Sequence, residues 1–436
     1  MPFITLTTVD LMFRMIVAAA LMMASQIAVA QLSFDLPPIE YSTTAPTDPV
    51  AKLNAKVASG DLVLQRDAKF GYLPALLEVL QIPLSSQTLV FSKTSMQRHL
   101  ISPANPRAIY FNDQTYVGWV PHGEVIEISS TDPMLGTTFY TIEQYSPRRQ
   151  MRISRRTERC LFCHASSDTG RVPGLLMQST YTDLDGHRVM PVDSIWPKSS
   201  GPLQTRWGGW FATGTHGQQS HLGNLMIDSG DIVTDDIELN NGNVSELSKW
   251  FDVTTYPSPH SDLVALMVLE HQVTMHNRLT DTNHRVRHLI RSAEITNQEQ
   301  GRVKSFLTAE EIIMIDQLAE DLVDTLLMVG ALKFSEPVLG SSQFGKEFSA
   351  IGPVSAKGKS LRTLDLQRRL FRYPCSYLIY SDSFAALPEQ VKTQSIKRLA
   401  AVLNGVDVRE KYSHLSSEDR VAIREILRST KPEFAL

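Results

Sequence analysis

Cysteine is nearly missing from this chain: 436 residues hold three, Cys160, Cys163 and Cys375. That number excludes a disulfide scaffold and a Cys₄ zinc site. An excess of either charge is missing too. Lys and Arg total 42 against 46 Asp and Glu, and a net charge of −4 argues against a general nucleic-acid binder. Gly and Pro, at 23 each, are too few for a collagen-like or low-complexity chain. Long apolar runs are confined to one place near the N-terminus, so a multispan membrane protein is excluded. The 42% hydrophobic and 20% charged residues that remain describe a globular protein.

The single apolar run identifies a compartment. Met15 to Ala30 is preceded by Arg14 and ends in Ala28-Val29-Ala30, the charged start, apolar middle and small-residue cleavage site of a secretory signal. Residues 1–30 are therefore read as a signal peptide and the mature chain as periplasmic, with no stable membrane span after cleavage. An uncleaved anchor is the alternative. Asp10 is the only charge before Met12, so Met12 makes a more regular start of the signal than Met1.

The rest reads as an α+β chain in three regions. Residues 31–145 are β-rich: Asp48-Pro49 opens a helix to about residue 59, a second spans 72–81, and strands are expected at 88–92, 108–112, 115–120, 124–129 and 137–143. Residues 146–261 are basic at first and then loop-rich. Residues 262–436 are mainly helical, with helices expected at 262–291, 309–329, 389–403 and 417–429, and a polar loop at 339–360. The 309–329 helix shows apolar positions Ile312, Ile315, Leu318, Leu322 and Leu326.

The central region carries the chemistry. Cys160-Leu161-Phe162-Cys163-His164 is a C-x-x-C-H sequence in an exported chain, and its spacing suits covalent haem. Two thiols three residues apart on a first helical turn can reach the two vinyl groups on one edge of a haem. The adjoining imidazole then meets the iron from one face. Composition alone gives roughly 0.0006 such matches by chance. One covalently attached haem c is thus expected on Cys160 and Cys163, with His164 as proximal ligand. A thioredoxin-type pair, a zinc site completed by distant histidines and Cys375, and a short-loop disulfide are the competing readings.

The surroundings give further candidates. The Pro173 carbonyl could accept from His164 Nδ1 and fix the ring. Arg148, Arg149, Arg152, Arg155, Arg156 and Arg159, with only Glu158 against them, could neutralise haem propionates or dock an acidic redox partner, or form a solvated face. Met177 and Met190 follow the motif; His216 and His221 follow the Trp207–Trp210 cluster. In the 262–291 helix His271 and Met275 share a face, and His276, Thr280, His284 and His288 form a second row. His271 and Met275 are the preferred distal candidates for the iron. Cys375, in an aromatic run, reads as a buried thiol.

The blocks 158–179, 206–217, 263–277 and 370–388 resemble those of a bacterial family of exported proteins described as cytochrome c domain-containing. The resemblance spans roughly residues 105–430. It implies c-type haem on Cys160, Cys163 and His164, and it implies that the helical C-terminal part belongs with the haem region. The expected function is electron transfer by a mono-haem cytochrome, with an unidentified redox partner protein. A haem-dependent enzyme, peroxidase- or oxidase-like with an open distal site, is the alternative, favoured by a length well beyond the about hundred residues of a simple carrier. A gas sensor is the third.

Overall fold

The computed structural model describes residues 33–144, 151–190, 201–228, 242–431 and 433–434. The signal at 1–30, Arg148 and Arg149 lie outside the described residues. Asp48 caps α1 (Pro49–Ser59) through the Val50 and Ala51 amides, and proline in the first turn removes an N–H that would have no partner there. Helix α2 (Leu73–Val79) follows. The chain then lays down β1 (Thr88–Val90), β2 (Arg107–Phe111), β3 (Thr115–Trp119), β4 (Val125–Asp132), β5 (Gly136–Glu143) and β6 (Ile153–Arg155). Each pairs antiparallel with the next, and β7 (Trp210–Phe211) closes the far edge beside β1. The result is a seven-stranded sheet in an α+β chain. Strands β6 and β7 come from the region expected to be loops, so the β-rich and central regions interlock.

The alternation of the strands decides which layer each face meets. Ala108, Tyr110, Val117, Trp119, Ile128 and Tyr140 face α1 and α2 in one core. Phe111 and Tyr116 face the other way, into the core built by the C-terminal helices. The motif helix α3 (Leu161–His164) lies on this second side of the sheet. A two-stranded ribbon, β8 (Gly214–Thr215) with β9 (Leu339–Gly340), ties the central region to the C-terminal part.

The dominant helix is α4 (Leu263–Glu299), capped by Asp262 and running on to residue 299, past the expected end at 291. Its extension is polar, so apolar periodicity stops early; Ala293 and Asn297 are nonetheless buried, and Asn297 binds the Lys304 and Phe306 carbonyls. Helix α5 (Ala309–Leu326) starts at a Thr308/Glu311 capping box. It buries Ile315, Leu318, Leu322 and Leu326, whereas Ile312 is exposed. The stretch 339–360 is not simply a loop: α6 (Phe344–Ala350) forms there. Phe344 and Phe348, one turn apart, stack at 5.6 Å and pack with Phe111 and Tyr377. Two apolar residues among Gly, Ser and Lys make too short a pattern to read. Helices α7 (Asp382–Ala385), α8 (Glu389–Leu403) and α9 (Ser417–Thr430) complete the C-terminal layer. No described helix is long and apolar enough to cross a membrane.

Candidate haem-attachment site

Leu161 anchors the motif by burying its side chain with Phe34, Ile39, Tyr41, Leu135 and Phe139. That fixes one side of α3 and turns the next two residues outward. Phe162 is 88% exposed and Cys163 is exposed, while Cys160 and His164 are partly covered. All three cysteines are free thiols, and Cys375 is fully buried. Burial pushes the Cys160 thiol up to about 11, with Glu127 and Cys163 adding to the rise. This is the reverse of the lowered thiol of a redox-active pair. The antiparallel sheet likewise lacks the βαβ setting of a thioredoxin-type site.

His164 is held by two bonds to one residue. Its Nδ1 lies 2.9 Å from the Gly174 carbonyl, and its own carbonyl accepts the Gly174 amide at 2.8 Å. Because the partner of Nδ1 is a carbonyl, Nδ1 carries the proton and Nε2 presents its lone pair. The ring also leans on Phe139 at 4.6 Å between centroids. Burial lowers the imidazole's pKa and the Gly174 bond opposes this. The Pro173 carbonyl, expected in this role, instead accepts the Thr137 amide at 2.9 Å. Residues 171–173 turn and bend, and their successive carbonyls face different partners, so a shift of one residue exchanges the two.

Gly174 is fixed from α4. Asn277 accepts the Leu175 amide and donates to the Leu175 carbonyl, both at 2.8 Å. A Cβ on Gly174 would lie 2.5 Å from Asn277 Oδ1. Asn277 thus positions the carbonyl that orients His164, a role with no signal in the sequence because Asn277 and the Leu175 it binds lie 102 residues apart.

The sheet beneath supplies charge. Arg107 on β2 and Glu127 on β4 pair at 2.6 Å across the β3 residue Gly118, with side chains 19% and 14% exposed. A Cβ on Gly118 would lie 2.2 Å from the guanidinium, so glycine is what lets the pair span the strand. Glu127 is in register with Thr141, which accepts from Arg156 Nε at 2.9 Å; Thr141 is two residues along β5 from Phe139. The face under His164 is therefore polar and partly open. Arg107 Nε is buried with no acceptor. Arg155 is used elsewhere, donating to the Tyr41 and Thr44 carbonyls.

The preferred distal candidates are not brought to the motif. His271 Nε2 is 2.8 Å from Ser376 Oγ, and its ring packs edge-on against Phe371. Met275 is fully buried in the helical core. Helical geometry gives the reason: with Asn277 facing the haem-motif segment, His271 and Met275 project about 120° and about 160° away around the axis. His276 and His284 bind the Asp113 and Met134 carbonyls, and with Thr280 form a buried row facing the sheet. Met177 is buried and Met190 is 56% exposed. His216 and His221 pack at 4.6 Å beside Trp207, and Trp210 belongs to β7. Among the described residues no three His, Cys, Asp or Glu side chains converge as a metal site, so neither the second α4 row nor a Cys375 zinc site assembles.

No family model, curated protein or solved structure matches the chain. The site's geometry is what bears on function.

Proposed function

We propose that this chain is an exported mono-haem c-type cytochrome that transfers electrons, with haem attached through Cys160 and Cys163 and His164 as proximal ligand. The observation that carries the reading is the His164–Gly174 pair: Nδ1 is spent on a backbone carbonyl and Nε2 is left for iron, the arrangement that fixes a ligand's tautomer and ring plane. The residues fit the group in two further ways. Both thiols are unbonded on one helical turn, and the buried Arg107 Nε lacks an acceptor that a haem propionate can supply. When bound, the haem supplies one-electron chemistry as its iron cycles between ferric and ferrous. The chain's own residues hold its edge, orient the imidazole and set the surrounding polarity. Export to the periplasm follows from the same reading, since the signal sequence precedes the motif.

The purified exported chain tests this directly. Haem-dependent peroxidase staining on a denaturing gel, with an alkaline pyridine spectrum, is expected to show one covalent haem per chain. Absence of stain would overturn the reading. A second reading, a haem-dependent redox enzyme, is favoured by one observation: a cleft borders residues 168–170, in the loop that follows His164. Ready binding of carbon monoxide to the ferrous protein selects it over the electron carrier.

A further inference from the structure

The hairpin of α4 and α5 ends in a patch of bare apolar side chains. Arg278 on α4 meets Asp321 on α5 at 3.9 Å, and Thr274 and Thr325 border the same cavities. The two helices therefore run antiparallel, and the connection 300–308 forms the tip. Asn297 folds that connection back by binding the Lys304 and Phe306 carbonyls. Ile295, Val303, Phe306, Ile312, Ile313 and Met314 are each 44–73% exposed there. One bare apolar side chain is ordinary, but six around one tip mark a surface that meets something apolar.

The shape of the patch narrows what covers it. Successive helical residues point about 100° apart, so Ile312, Ile313 and Met314 sweep about 200° around α5. A rigid partner covers one stripe of a helix, whereas a fluid apolar medium reaches all of that arc. The charges of the tip compensate one another. Glu294 lies 3.9 Å from Arg291 and 3.5 Å from Lys304, and Glu311 is spent on the Thr308 capping box. The Arg302 guanidinium sits 5.2 Å over the Phe306 ring. With Glu299 and Glu310 the tip holds four acidic against three basic side chains, so attraction comes from the apolar groups.

The N-terminal arm arrives at the same end of the molecule. His288 lies against the Ser33 and Pro37 backbone. Ten residues on from Arg278 and ten back from Asp321, His288 and Glu311 stand about level, so the arm meets α4 at the height of the first turn of α5. Leu36 in that arm is exposed too. Gln31 and Leu32 alone separate Ser33 from Ala30, where the apolar run read as the export signal ends, a span of about 10 Å at full extension. An export signal at 15–30 holds this end of the molecule against a membrane. We propose that the tip of the α4–α5 hairpin docks on a lipid bilayer, with Val303, Phe306 and Ile313 entering the acyl region and Arg302 staying among the headgroups. The contact is peripheral and not a span. Haem plays no part in it, so vesicle binding and haem attachment fail separately.

Vesicle flotation of the full exported chain tests this. Phosphatidylcholine vesicles are expected to carry the chain, and salt of about 0.5 M to leave that binding unchanged, because apolar contact is not screened. Val303→Asp with Ile313→Asp is expected to lower the binding about tenfold or more. Val63→Asp, equally exposed on the α1–α2 side of the sheet, is expected to leave it unchanged. Circular dichroism checks that each variant is folded. Should the double variant fail to fold, Ile313→Trp decides, its added emission moving to shorter wavelength on vesicles. A chain that stays off the vesicles, binding that salt abolishes, an equal loss in Val63→Asp, or unchanged binding in the folded double variant overturns the proposal. So do Ile313→Trp emission that does not move and dimerisation through the tip without vesicle binding.

Discussion

His164 and Gly174 bond each other twice, side chain to carbonyl at 2.9 Å and amide to carbonyl at 2.8 Å. The loop between them, residues 165–173, is closed by the same residues that orient the imidazole. The ring orientation of His164 and the loop geometry are therefore one structure, and disturbing either disturbs both.

Gly174→Ala tests this closure. The added methyl meets Asn277 Oδ1 and the Thr169 side chain, and overpacking of this kind costs about 1–3 kcal/mol. Asn277→Ala removes two part-buried bonds to Leu175 and is expected to cost about 1–3 kcal/mol. Urea unfolding measures both. With haem attached as proposed, Asn277→Ala should also shift its midpoint potential, which a purely structural residue far from the site would leave unchanged.

His164→Ala should leave a stainable haem on Cys160 and Cys163 but change its visible spectrum and potential, because attachment and ligation use different residues. Cys160→Ser with Cys163→Ser should abolish covalent stain. A double mutant that still stains would place the attachment elsewhere.

The Arg107–Glu127 pair makes a prediction about partnership. Arg107→Leu strands Glu127 in a mostly covered position and is expected to cost about 3 kcal/mol, with the double change Arg107→Leu/Glu127→Leu recovering much of it. A double mutant no more stable than Arg107→Leu would show that the arginine acts through something other than Glu127. Gly118→Ala should resemble Arg107→Leu, because its methyl takes the space of the guanidinium.

Acid stability follows from buried imidazoles. Burial pushes His221 to about 3, and His276 and His284 to about 4. In the unfolded chain these groups titrate near about 6.5. Between roughly pH 6.5 and 4 the unfolded chain takes up protons that the folded chain refuses, so stability is lost as pH falls through that window. Glu270, raised to about 7, acts in the opposite sense between about 7 and 4.5 and offsets only part of the loss. The expected result is a Tm that falls steadily from pH 6.5 to 4.5. A Tm that stays level across that range would contradict the burial of these rings.

The amino-acid sequence by itself determined what is local. Asp48, Asp262 and the Thr308/Glu311 box set helix starts because capping involves residues two or three apart. The strands from 88 to 143 follow from alternating β-branched and aromatic residues, and the proposal of covalent haem starts from C-x-x-C-H spacing within five residues. Only the tertiary structure decided which groups meet His164. Gly174 rather than Pro173 provides the carbonyl because Asn277 fixes the segment through Leu175, 102 residues away. The α4 helix turns Asn277 toward the motif and carries His271 and Met275 off to other faces. Strands β6 and β7 are three and two residues long, and they form because a sheet edge is already there to pair with them. Such contacts join residues whose separation in the chain bears no relation to any period, so packing alone sets them.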